Sequence, residues 1–308
     1  MRLREGDLSA APAVLNLVES TVPEHRTQIA ALLEGVSPAA LGGEAGAHVV
    51  GITGPPGGGK SSLLSHLIRV WRAAGRSVAI LAVDPSSKRS GGALLGDRAR
   101  IAVDSADRGV FLRSMAAGGR LGGLAPATRA AAHALAAAFD VVVIETVGVG
   151  QSETAVAEVA DTVAVVVQPG SGDVLQFLKS GIMEIPDVLV VTKADLGTAA
   201  MRSRRDLNAA LRSLGDRDTR VLAISSVAPL QGFDEFVEAL DDHRAGLDVP
   251  SRRLAARRAS ALADFAAEHG ERGLRALGGR RAALKLLDGQ DAALDVPALT
   301  RTLEEAAA

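Results

Sequence analysis

Residues 48–62 read His-Val-Val-Gly-Ile-Thr-Gly-Pro-Pro-Gly-Gly-Gly-Lys-Ser-Ser, and this stretch decides the fold. The apolar run His48–Thr53 predicts a β-strand, and Leu63, Leu64, Leu67, Ile68 and Trp71 recur behind it at helical spacing. A strand, then a glycine-rich turn, then a helix is the context that a phosphate-binding P-loop requires. Gly54, Gly57, Gly58 and Gly59 let backbone N–H groups turn inward with no Cβ in the way. Pro55, Pro56 and Ser62 complete the loop. Lys60 can reach the β- and γ-phosphates, and the Ser61 hydroxyl can ligate Mg²⁺. An ordinary Gly-rich turn would explain the glycines but not the strand before them or the amphipathic helix after. The chain is expected to bind a nucleotide.

Working outward, seven short runs rich in β-branched residues stand out: 48–53, 77–83, 110–113, 140–144, 162–167, 188–192 and 220–224. Most are separated by stretches of helical composition, the rhythm of a doubly wound, mostly parallel sheet with right-handed crossovers. The unbroken apolarity of Val141–Ile144 and Val163–Val167 predicts strands covered on both faces. In such sheets ligands sit at the carboxyl ends of the strands, so the chemistry should lie just after each run.

It does. After the second run stand Asp84-Pro85, then Arg89-Ser90-Gly91-Gly92 and Asp97. Asp84 can hold Mg²⁺ directly or through water, or else start a turn; Asp97 is a second carboxylate within reach, or a helix cap. After the fourth run comes Glu145-Thr146-Val147-Gly148-Val149-Gly150-Gln151. Glu145 occupies the Walker B position, Gly148 could donate its N–H to a γ-phosphate, and Gln151 could position water or neighbour an N-cap. After the sixth run, Thr192-Lys193-Ala194-Asp195 resembles the Asn-Lys-x-Asp of many GTPases. There the aspartate accepts from guanine N1–H and N2–H₂, donors that adenine lacks, and the lysine stem packs along the base. Thr192 replaces the asparagine, which predicts loss of the amide that ties this loop to the P-loop. Ser225 and Ser226, after the last run, could add a contact to guanine O6.

Composition narrows the classes. Hydrophobic residues make up 47% of the 308, but aromatics only 2%, so the core must be built from Ala, Val, Leu and Ile. A net charge of −2 with no long basic run suggests no nucleic-acid partner. With no cysteine there is no disulfide, thiolate metal site or Cys nucleophile. The first residues make a poor signal peptide, and no apolar run reaches the ~18 residues of a membrane span, so a cytoplasmic protein with no membrane partner is expected. Residues 1–47 read as an N-terminal helical extension, 48–250 as the nucleotide-binding domain, and 251–308 as a C-terminal helical and dimerisation segment. There Leu262, Phe265, Leu274 and Leu277 form an apolar stripe expected to pack partly in a homodimer, and Arg252, Arg253, Arg257 and Arg258 read as a solvated face.

With these motifs in order, the chain resembles the MeaB/ArgK family of GTPases, chaperones of methylmalonyl-CoA mutase and related adenosylcobalamin-dependent mutases. The carrying strings are GITGPPGGGKSS, LAVDPSS with RSGG and LGD, FDVVVIETVGVGQSE, QPGSGDVLQ with KSGIMEIPD, and TKAD. The resemblance implies a P-loop NTPase of the SIMIBI-type GTPase class with N- and C-terminal helical extensions, usually homodimeric, using GTP/GDP and Mg²⁺ (Mg2+). It implies that Lys60 and Ser61 bind phosphate and metal, and that Asp84, Asp97 and Glu145 form the metal and hydrolysis site. It also implies that residues 170–180, including Asp173 and Lys179, communicate with the mutase. Two other readings are a metal-insertion GTPase, disfavoured by the absence of cysteine and of a His cluster, and an ATP-dependent small-molecule kinase, which leaves TKAD unexplained.

Overall fold

The computed structural model describes residues 2–84, 101–104, 106–116, 124–146, 156–170, 186–216 and 218–308, with Asp84 described through its backbone. The chain divides into two compact units. One comprises His48–Ala125 and Phe139–Leu247; the other gathers Met1–Ala47, Pro126–Ala138 and Asp248–Ala308.

The first unit is a seven-stranded parallel sheet in the order β3-β2-β4-β1-β5-β6-β7. The strands are β1 (His48–Thr53), β2 (Val78–Asp84), β3 (Val110–Ala116), β4 (Val141–Thr146), β5 (Thr162–Val167), β6 (Val188–Val191) and β7 (Arg220–Ala223). All seven expected strands form, with ends displaced by up to three residues. Every residue of β1, β4 and β5 is buried, as continuous apolarity demands of central strands covered on both faces. Strand order, not strand direction, reverses about β1: β2, β3 and β4 lie to one side and β5 to β7 to the other, which places the crevice of the switch point at the carboxyl end of β1. The helix Lys60–Ala73 turns Leu63, Leu64, Leu67, Ile68 and Trp71 into the core formed with Val50, Ile52, Ile80 and Val143. Helix Phe233–Gly246 adds Phe236 and Leu240 to the same core.

The second unit is helical, built from segments far apart in sequence. Its helices Val249–Ala276, Arg280–Asp288 and Val296–Ala307 enclose a core of Leu262, Phe265, Leu274, Ala283, Leu287, Leu299 and Leu303. This corrects the expectation for the C-terminal stripe. Leu262, Phe265 and Leu274 are consumed by the chain's own core, and Leu277 packs against its edge, so they are not a surface held ready for a second subunit. The arginine face is corrected too. Arg253 is buried and donates to the carbonyls of Ala45 (2.6 Å) and Ala47 (2.7 Å). Arg257, equally buried, pairs with Glu44 at 2.9 Å and donates to the Ala292 carbonyl. A guanidinium's several donors satisfy backbone carbonyls left over where an irregular link meets a helix.

Candidate functional site

The sheet's carboxyl edge positions the site. Leaving β1, the chain turns at Gly54 with φ +143°, where an added Cβ would lie 2.2 Å from the Val166 carbonyl oxygen of β5. Only glycine lets the loop run this close to a central strand. Gly57 and Gly59 also hold positive φ, 75° and 89°, and the Gly58 N–H donates to the Pro55 carbonyl at 3.1 Å, closing the turn. Gly59 starts the helix Lys60–Ala73 with no side chain capping it. The N–H donors of that first turn and the positive end of the helix dipole therefore favour an anion at the loop. Lys60, 6% exposed, curls over its own loop and donates to the carbonyls of Gly54 (2.7 Å) and Pro55 (3.1 Å). Ser61 is half-buried in the same turn, while Pro56 and Ser62 are exposed.

β4 lies directly beside β1, with Glu145 in register with Ile52 and with Ala82 of β2. Just beyond, the Thr146 hydroxyl donates to the Thr53 hydroxyl at 2.9 Å, pinning the carboxyl ends of the two strands together where the loop begins. Glu145 is buried, and the backbone of Asp84 ends β2 one residue beyond the Val83–Thr146 pair. A serine hydroxyl and carboxylates are hard oxygen donors, the set that suits Mg²⁺ rather than a softer metal.

On the other side of β1, the loop after β6 joins the same edge. Thr192 is 3% exposed; its hydroxyl donates to the Gly58 carbonyl at 2.7 Å, and its N–H donates to the Val167 carbonyl at 2.9 Å. The tie expected to vanish with asparagine is therefore present, made by a shorter side chain. Lys193 takes a left-handed conformation (φ 54°) and reaches the Gln168 side chain at 2.8 Å. Asp195 is exposed, with its Oδ1 accepting from the buried Ser225 hydroxyl at 3.2 Å, while the Ala194 N–H donates to the Ile224 carbonyl. Ser226 is half-buried beside it.

The structure thus brings together residues 54–62, Glu145, Thr192, Lys193, Asp195, Ser225 and Ser226 on one sheet edge. Asp97, Gly148, Gln151, Asp173 and Lys179 lie outside the described residues. Sequence reasoning missed Gln168 and Thr53. Gln168 follows β5 directly, so the strand-end rule could have found it; nothing in the sequence signals the Thr53–Thr146 bond.

Similarity to known proteins agrees with this geometry. Residues 11–272 match the family model described as methylmalonyl-CoA mutase-associated GTPase MeaB. A Pyrococcus abyssi protein is 42% identical over 265 residues, covering 83% of this chain and 78% of that one. Escherichia coli GTPase ArgK is 35% identical over 258 residues, 82% of this chain and 76% of ArgK. The mouse methylmalonic aciduria type A homolog, mitochondrial, is 37% identical over 216 residues, 68% of this chain and 52% of the mouse protein. The crystal structure of a LAO/AO transport system kinase superposes with a TM-score of 0.65 at 28% identity, over 99% of this chain and 94% of the other. With the family model matched over residues 11–272, most of its length, the chain belongs to the MeaB family of GTPases.

Proposed function

We propose that this GTPase acts as a chaperone that gates adenosylcobalamin loading and protection of an acyl-CoA mutase of the methylmalonyl-CoA mutase type. One observation carries the nucleotide half of the reading: the loop after β1 and the loop after β6 are hydrogen-bonded at Thr192–Gly58, so one ligand can engage both. In this reading residues 54–62 cradle the phosphates, with Lys60 leaving its carbonyl partners for the phosphate oxygens. Asp195 accepts from guanine, Lys193 flanks the base, and Ser225 and Ser226 approach O6. Ser61 and Glu145, with Asp84 and Asp97, would hold Mg²⁺, which supplies neutralisation of charge developing on the phosphates. Glu145 would orient the attacking water together with Gln151, and the Gly148 N–H would donate to the γ-phosphate. Residues 48–250 then form the GTPase domain, flanked by helical segments 1–47 and 251–308, in a cytoplasmic homodimer.

The mutase half is supported by the description of the matching family and by the name of the mouse relative. Among the described residues no helix is long and apolar enough to cross a membrane. A GTPase affects a client only by preferring one nucleotide state of the complex. Linkage then requires that the client shift GTP affinity by the factor by which GTP shifts client affinity, ordinarily ~1–3 kcal/mol. Residues 170–180, with Asp173 and Lys179, are proposed as the contact. The experiment is to mix the protein with an adenosylcobalamin-dependent methylmalonyl-CoA mutase and measure complex formation and GTP turnover with GDP, GTP or neither. A nucleotide-dependent complex with faster turnover is expected. No complex in any state and unchanged turnover would reject the client.

A further inference from the structure

The Thr192 hydroxyl lies 2.7 Å from the Gly58 carbonyl oxygen, and the residue is 3% exposed. Its backbone is independently fixed, because its N–H donates to the Val167 carbonyl at the end of β5. The side chain therefore reaches from a rigid strand end to the middle of the P-loop. Its other atoms pack there as well: an idealised Cβ on Gly59 would sit 3.7–3.8 Å from Thr192 Cβ, Cγ2 and Oγ1. Threonine fills the bare face of Gly59 with its methyl group and holds the Gly58 oxygen with its hydroxyl.

A trans peptide points the N–H of one residue opposite to the carbonyl of the residue before it. Holding the Gly58 carbonyl toward Thr192 therefore turns the Gly59 N–H away from Thr192. Two glycines in succession have little torsional preference of their own, so this peptide is held by what it bonds to. We infer that Thr192 is a positioning residue for phosphate, not a base contact: its hydroxyl fixes the Gly58–Gly59 peptide so that the Gly59 N–H is presented as a phosphate donor. The inference rests on reading residues 54–62 as the phosphate site. It makes the base-recognising loop a structural part of the phosphate cradle.

The test uses the full chain and two ligands, GDP and guanosine, which share the base but differ in phosphate. Thr192→Val keeps the shape and the methyl packing while removing the donor. Its GDP affinity is expected to fall about tenfold, the scale of one buried hydrogen bond with a freed peptide. Guanosine affinity should change by less than about twofold. Thr192→Ser, which restores the hydroxyl, should return GDP binding to within about twofold of wild type. Calorimetry supplies the affinities, and Thr192→Ala replaces the valine variant should that one not fold. Unchanged GDP affinity in the donor-less variant would overturn the inference, and so would an equal loss for guanosine, which would mean a general collapse of the base loop. Wild-type protein that binds no GDP would instead overturn the nucleotide-site reading itself, so the two failures are distinguishable.

Discussion

Substituting Gly54 by alanine tests the closest backbone approach in the site. The added Cβ would meet the Val166 carbonyl oxygen at 2.2 Å and its carbon at 3.0 Å, where ordinary contact begins near 3.4 Å. About an ångström must be found between the loop and β5, a fully buried strand hydrogen-bonded on both sides to β1 and β6. Overpacking of this kind costs ~1–3 kcal/mol. Alanine at φ +143° adds strain of ~1–3 kcal/mol, giving roughly 2–6 kcal/mol in all. Gly57→Ala is the control: at φ +75°, with nothing within 4 Å of its added Cβ, it bears only the left-handed cost of ~1–2 kcal/mol. Urea unfolding followed by tryptophan fluorescence reads the difference. Trp71 is the only tryptophan, there is no tyrosine, and it is buried on the helix that the loop begins. Gly54→Ala should lower the midpoint well below that of Gly57→Ala and abolish nucleotide binding even where the unit remains folded. Equal midpoints would refute the argument, because the loop would then have room that its packing against Val166 denies.

Four further outcomes are expected. Asp195→Ala should cut the preference for GDP over ADP by on the order of 10²-fold or more, measured by calorimetry, while Thr192→Asn should not tighten binding, since the tie to Gly58 already exists. Lys60→Ala should lose nucleotide binding, whereas Glu145→Ala should retain it and turn over GTP about 10²-fold more slowly; full activity in the latter would remove Glu145 from the hydrolysis site. Phe265→Ala should destabilise the helical unit by ~3–5 kcal/mol by circular dichroism; a variant that dissociates an assembly at unchanged helix stability would return the stripe to an interface. Burial holds the His48 imidazole's pKa below its ordinary value, so the unfolded chain takes up a proton near pH 6.5 that the folded chain refuses. Stability of the sheet unit should thus decline from pH 7 toward pH 5 as the proton is refused, with His48→Asn flattening that slope; an unaltered slope would discount His48.

How much of this was legible depends on how local the physics is. The strands could be read because each is a short run whose apolar residues are contiguous, and burial on both faces requires nothing from distant sequence. The phosphate loop could be read because Gly54, Gly57 and Gly59 supply positive φ within one turn. The helical unit could not, because its core joins Phe265 to Leu287 and Leu303, and a helical stripe announces only that it must be covered, not by what. Arg253 and Arg257 misled for the same reason. An arginine reads as solvated unless one knows that the carbonyls of Ala45, Ala47 and Ala292 need donors, and those lie 35 to 208 positions away. Thr192 is the instructive case. Judged by residue type it lacked the amide expected at its place, and the tie was expected to go with it. In space the requirement is narrower: one donor within 2.7 Å of the Gly58 oxygen, on a backbone fixed by Val167. A hydroxyl on a short stem satisfies it because β6 brings the chain close enough. The chemistry of a motif position is thus set by the distance it must span as much as by the residue customarily found there.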